Sequence, residues 1–122
     1  MSFHYEKIDH VQLAAPKGGE DRARAFYQGL LGFEELEKPE NLRKRGGVWF
    51  QSGSFQLHIG IDEPFYPAKK AHPAIRVTNL EGLKDRLDNH HVSYTVDGDL
   101  PGADRFYMTD PFGNRLEFLE WL

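Results

Sequence analysis

Ile8-Asp9-His10-Val11-Gln12-Leu13-Ala14 and, past the middle of the chain, Ala71-His72-Pro73-Ala74-Ile75-Arg76-Val77 decide the fold when they are laid together, because each reads as a strand with a histidine near its start. In the first stretch, alternation puts Ile8, His10, Gln12 and Ala14 on one face and Asp9, Val11 and Leu13 on the other. Pro16 and Gly18-Gly19 end the strand, and Glu20-Asp21 supply the acidic first turn that a helix N-terminus favours. Ala23, Phe26, Tyr27 and Leu30 then recur at i, i+3, i+4 and i+7, the stripe of a half-buried helix with Gly32 as its stop. Residues 33–37, 47–51 and 55–61 follow as short strands, the last two joined through the turn Ser52-Gly53-Ser54.

After Glu63-Pro64-Phe65-Tyr66-Pro67 the same order begins again. A strand over 71–77 is followed by Asn79 as an N-cap, a helical stripe of Leu80, Leu83 and Leu87, and strands over 92–96, 105–109 and 115–121. The closing strands also correspond, with Gly53-Ser54-Phe55-Gln56-Leu57-His58 beside Gly113-Asn114-Arg115-Leu116-Glu117-Phe118. Identity between the halves is thin, so the repeat rests on element order. The reading is an α+β chain, a single domain over 1–122, made of two paired βαβββ modules at about 4–62 and 68–122.

Composition narrows the function. A chain of 122 residues and 14.1 kDa, 39% hydrophobic, can bury one modest core. Fifteen basic against nineteen acidic residues give a net charge of −4 with no long run of one sign, which argues against a nucleic-acid footprint. The absence of cysteine removes disulfides, thiolate catalysis and Cys-based zinc sites, and leaves oxygen and nitrogen as the metal donors. The polar start MSFHYEKIDH lacks a signal-peptide core and no apolar run is long enough to span a bilayer, so the expectation is a cytoplasmic, soluble protein without a membrane partner. Gly-x-Ser-x-Gly, Gly-x-x-x-x-Gly-Lys-Ser/Thr and Gly-x-Gly-x-x-Gly are all missing, which sets aside serine hydrolase, nucleotidase and dehydrogenase chemistry.

Of the histidines at 4, 10, 58, 72, 90 and 91, position in the repeat separates those that could converge. His90 and His91 end the second helix, where an imidazole meets the negative end of the dipole, and His4 lies in the terminal stretch. His10 and His72 hold equivalent places on the opening strands, while Glu117 and either Gln56 or His58 come from the closing strands. Gln56 and His58 lie two apart and share a face: matching Leu57 to Leu116 sets His58 against Glu117, and matching Leu57 to Phe118 sets Gln56 there instead. Two imidazoles and a carboxylate with open positions suit one divalent first-row ion (Mn, Fe, Co, Ni or Zn) that binds substrate oxygens. A lone histidine on a half-buried strand is more often a hydrogen-bonded core or cleft residue, and only the repeat raises these above that. Glu117 and Glu120 could each be a surface carboxylate on an edge strand. Phe26, Tyr27, Trp49, Phe50, Phe55 and Phe106 read as core, with a pocket wall as the alternative for Trp49 and Tyr107, and Lys69-Lys70 as a solvated pair that could guide an anion.

Ile8-Asp9-His10-Val11, Ala25-Phe26-Tyr27 with Leu30-Leu31-Gly32-Phe33, Ala71-His72-Pro73-Ala74-Ile75-Arg76-Val77, and above all Thr109-Asp110-Pro111-Phe112-Gly113-Asn114-Arg115-Leu116-Glu117 make the chain resemble the vicinal oxygen chelate superfamily of glyoxalase I, fosfomycin resistance proteins, extradiol dioxygenases, methylmalonyl-CoA epimerase and bleomycin resistance proteins. The resemblance implies a glyoxalase-like fold in which the modules form a cupped mixed sheet. It implies metal ligands at His10, His72 and Glu117 with a fourth at or near Gln56, a place often held by glutamate in glyoxalase I and by glutamine in the epimerase. The expected function is a lyase, isomerase or thiol-transfer enzyme acting on a small oxygen-chelating substrate. Glu117 and, as the weaker candidate, His58 carry protons in that reading. The alternative is a metal-free protein that binds or sequesters a small molecule, as bleomycin resistance proteins do. Free sheet edges and a small core lead us to expect a homodimer, with modules pairing within one chain or between two.

Overall fold

A computed structural model describes all residues, 1–122. β1 (His10–Ala15) leads into a helix whose first turn, α1 (Glu20–Ala23), continues as a π-helical stretch over Arg24–Leu30, where Leu31 N–H donates to Phe26 C=O across five residues. The expected stripe is kept through this wider turn, since Ala23, Phe26, Tyr27 and Leu30 are all buried. β2 (Glu34–Leu36), a 3-10 segment (Glu40–Arg45) that the periodicity does not announce, β3 (Val48–Ser52) and β4 (Phe55–Ile61) complete the first half. The second half runs β5 (Ala74–Arg76), α2 (Leu80–Asn89), β6 (Thr95–Asp97), β7 (Ala103–Thr109) and β8 (Arg115–Trp121).

The strands form two four-stranded sheets of the same plan, β1-β4-β3-β2 and β5-β8-β7-β6, each with one parallel pair at the edge and antiparallel pairs elsewhere. Leu57 and Ile59 of β4, Val48 and Phe50 of β3, and their counterparts Phe106, Met108, Leu116 and Phe118 turn to one shared core with the two helices. Period two therefore sends the intervening residues, including His10, Gln56, Trp49, Tyr107 and Glu117, to the opposite, concave faces.

Three local expectations are corrected. The strand at 71–77 shrinks to Ala74–Arg76, because Pro73 has no N–H for the ladder, and His72 stands in the approach to β5 rather than on it. β8 lies between β5 and β7, so Glu117 is a buried central residue and not an edge carboxylate. Glu120 is not idle surface either: its two oxygens accept from Asn79 N–H and Leu80 N–H, both at 2.9 Å, and so cap α2 beside the Asn79 side chain, which accepts from Gly82 N–H at 3.1 Å.

The Asp-Pro-Phe-Gly-Asn run joins the modules. Asp110 accepts from the hydroxyl of Tyr27 at 2.7 Å, from the N–H groups of Phe112 and Asn114, and from the Asn114 amide, which also donates to Ala14 C=O at 2.7 Å. Arg86 on α2 donates to the carbonyls of Gly29 and Leu30 at the end of the first helix. These contacts satisfy buried polar groups where the two halves meet.

Candidate functional site

On the concave face of the first sheet, parallel pairing sets His10 beside Gln56, and antiparallel pairing sets Trp49 beside His58. The His58 ring is sandwiched between Trp49, with centroids 4.0 Å apart and planes 5° from parallel, and His10, 4.1 Å away at 17°. Its Nε2 lies 2.9 Å from Gln56 Oε1; an amide oxygen only accepts, so Nε2 carries the proton. Burial, then the neighbouring His10 charge, lower the His58 pKa to about 4 against a partial pull from Asp9, which leaves it neutral and weakly basic near pH 7. This placement gives His58 a packing role, with little basicity for the proton-carrying one expected of it.

The second sheet carries a charged cluster. His72 Nδ1 lies 2.8 Å from Lys70 C=O, an obligate acceptor, so Nδ1 is the protonated nitrogen. Its Nε2 faces Glu117 Oε1 at 2.9 Å, so a proton or a cation must mediate between two lone pairs there. Arg105 approaches the other Glu117 oxygen at 3.5 Å and Asp97 at 3.5 Å, while Tyr107, opposite Glu117 in the ladder, sits edge-on to His72 with centroids 5.3 Å apart. Burial raises the Glu117 pKa, but hydrogen bonds from His72 and Tyr107 and the Arg105 charge outweigh it and hold the carboxyl below its usual value.

The structure places the residues named from the sequence in two pairs, His72 hydrogen-bonded with Glu117 and His10 opposite Gln56 in the ladder, each on its own module. No three His, Asp or Glu side chains converge. His10 and Gln56 border a cavity of about 310 Å³, and His72 borders an adjoining one of about 640 Å³ with Phe65 and Asn114, the two sharing Ile8, Val11, Pro73 and Ala74. The donor types fit a divalent ion, and the structure presents them two at a place rather than three together. His90 binds Arg86 C=O at the end of α2, and His4 and His91 are exposed. Arg105 and the Lys70 carbonyl were not anticipated; alternation along β7 places Arg105 on the face of Tyr107, but its partner is set by register with β8.

Two paired βαβββ modules are the architecture of the vicinal oxygen chelate class. The family model described as Glyoxalase/Bleomycin resistance protein/Dioxygenase superfamily matches residues 7–118, and the chain belongs to this superfamily. It is similar over the whole of both chains to a glyoxalase family protein from Bacillus anthracis, at 48% identity and a TM-score of 0.97. A glyoxalase family protein from Enterococcus faecalis is 27% identical with a TM-score of 0.74, over 95% of this chain and 98% of its own. A lactoylglutathione lyase from Agrobacterium tumefaciens, 20% identical with a TM-score of 0.69 over 90% and 91% of the two chains, shares the fold. Comparison with curated proteins gives no match.

Proposed function

We propose that the protein is a divalent-metal-dependent enzyme of the lyase, isomerase or thiol-transfer type, working on a small oxygen-chelating substrate as a homodimer. In this reading the centre is shared: His72 and Glu117 come from one copy, and His10 with Gln56 from the other. The observation that carries it is the placement of His72: Nδ1 faces Lys70 C=O at 2.8 Å, as the far nitrogen of a ligating imidazole characteristically faces a carbonyl, and Nε2 stands 2.9 Å from Glu117, where a cation can take the place of the shared proton. A bound ion would supply Lewis acidity to neighbouring substrate oxygens. The chain supplies the rest. Lys70 C=O fixes the imidazole, Tyr107 and Trp49 wall the space, and His72, Tyr107 and Arg105 together keep Glu117 ionised and therefore able to ligate.

Mixing two variants tests the shared centre. His10→Ala and His72→Ala should each abolish metal uptake, while wild type holds about one ion per chain and scatters light with a mass near twice 14.1 kDa. After subunit exchange, half the dimers carry one intact centre and one doubly damaged one, so about a quarter of the wild-type metal should return. Uptake by a wild-type monomer removes the sharing, and no uptake of Mn, Fe, Co, Ni or Zn removes the metal. A second reading, metal-free binding or sequestration of a small molecule, is favoured by one contact: Arg105 already compensates the Glu117 charge. Metal-free wild type that still binds its ligand would establish it.

A further inference from the structure

We propose that the concave face of the second sheet is an acid-recognition pocket in which Arg115 receives the oxyanion of a small, flat carboxylate or phosphoryl compound. A cavity of about 610 Å³ opens there, walled by Tyr66, Tyr94 and Tyr107 and carrying Lys69 and Arg115, with no carboxylate in its lining. The Arg115 guanidinium lies 4.3 Å from the centre of the Tyr107 ring and makes no ion pair or side-chain hydrogen bond. Arg105, over the same ring at 5.3 Å, is the contrast: Asp97 and Glu117 compensate it. A guanidinium stacked on a ring is held in orientation while its edge N–H groups stay free, the arrangement that takes two oxygens of one anion.

The register also sets the length of the ligand. Arg115 and Glu117 lie two apart on β8 and so share a face, with Tyr107 opposite Glu117. Two strand residues span about 7 Å, and Tyr107, which lines the cavity, stands opposite Glu117 and edge-on to His72, so a ring or short chain that extends past Tyr107 from an anion held at Arg115 approaches the His72–Glu117 pair. This inference rests on the reading that His72 and Glu117 belong to the reacting centre, and it adds the class of substrate that reaches them.

Titration calorimetry with benzoate, phenyl phosphate and the neutral benzamide tests it on the intact protein, with bound metal measured in the same samples. At least one of the two anions should bind and benzamide should not; whichever anion binds more tightly names the source of the oxyanion. Arg115→Met should weaken that binding about tenfold or more, and Arg115→Lys should restore part of it. Should Arg115→Met fail to fold, Lys69→Met and the benzoate–benzamide comparison on wild type remain decisive. Equal binding of benzamide, unchanged affinity in Arg115→Met, or no binding of either anion at about ten millimolar overturns the proposal. Anion binding lost from Arg115→Met with metal retained leaves the shared centre standing, and anion binding by a protein that takes no metal removes the centre and leaves the pocket.

Discussion

Replacing Tyr27 with phenylalanine strikes the joint between the two modules at one atom. The Tyr27 side chain is fully buried, and its hydroxyl donates at 2.7 Å to Asp110, which also accepts from Phe112 N–H at 2.9 Å, Asn114 N–H at 2.8 Å and the Asn114 amide at 2.8 Å. The ring's packing on Phe26, Phe33 and Phe50 survives the change, so the loss is that of one hydrogen bond to a buried carboxyl group. Such bonds contribute about 1.5–3 kcal/mol, and a loss near 2 kcal/mol should lower Tm by roughly 8 °C in a domain of this size.

The same variant has a pH signature. Burial first, and then the Asp110 charge and hydrogen bond, push the Tyr27 pKa well above its ordinary value. A group whose folded pKa is raised contributes fully below its unfolded pKa, about 10 for tyrosine, and its contribution fades as the pH climbs above that, because the unfolded chain ionises and the folded one does not. The phenylalanine ring of the variant has nothing to ionise. The stability gap between wild type and Tyr27→Phe should therefore be constant from pH 7 to 9 and narrow by about 1.4 kcal/mol for each pH unit above 10. Urea unfolding at one fixed protein concentration measures both quantities. A gap below about 0.5 kcal/mol at pH 7, or one that stays constant to pH 11, would refute the reasoning.

Glu120→Ala should speed amide exchange at Asn79 and Leu80 in the first turn of α2; in wild type the same protection, resting on a carboxyl whose pKa is lowered by the Leu80 and then the Asn79 N–H groups, holds above about pH 4 and is lost as the pH falls through the lowered value. In a Trp121→Phe background, Trp49 fluorescence should be quenched as His58 protonates near pH 4, and His10→Ala should move that midpoint upward; an unmoved midpoint removes the His10–His58 coupling. Gly47→Ala should destabilise by roughly 3 kcal/mol or more in denaturant unfolding, since φ is +89° and the added Cβ would stand 2.2 Å from the Ile59 carbonyl oxygen.

What could be read in the sequence is what depends on near neighbours. The stripe Ala23, Phe26, Tyr27 and Leu30, the Asn79 cap and a hairpin turn at Ser52-Gly53-Ser54 follow from spacing and local chemistry, and the structure keeps them, with the turn tightened to Gly53-Ser54 by pairing of Ser52 with Phe55. Glu117 shows where this stops. Its burial depends on β8 lying between β5 and β7, and its partner Arg105 on the β7–β8 register, both long-range properties that no local pattern encodes. The Trp49–His58–His10 stack fails for the same reason: alternation puts each residue on a face, but contact requires three strands in one register.

The two modules share one plan but carry unlike faces. The first carries an uncharged stack, Trp49 on His58, tied to an amide. The second concentrates charge around Glu117, with Arg105, His72 and, two residues away, Arg115. A site made by closing the first face over the second would give a substrate a flat neutral wall on one side and fixed cations and a carboxylate on the other, which suits a flat acid with polar oxygens at one end. Within one chain the donors open onto two adjoining cavities, with His10 and Gln56 bordering one and His72 the other. A two-fold axis that brings face one of each copy onto face two of its partner would close two such sites at once.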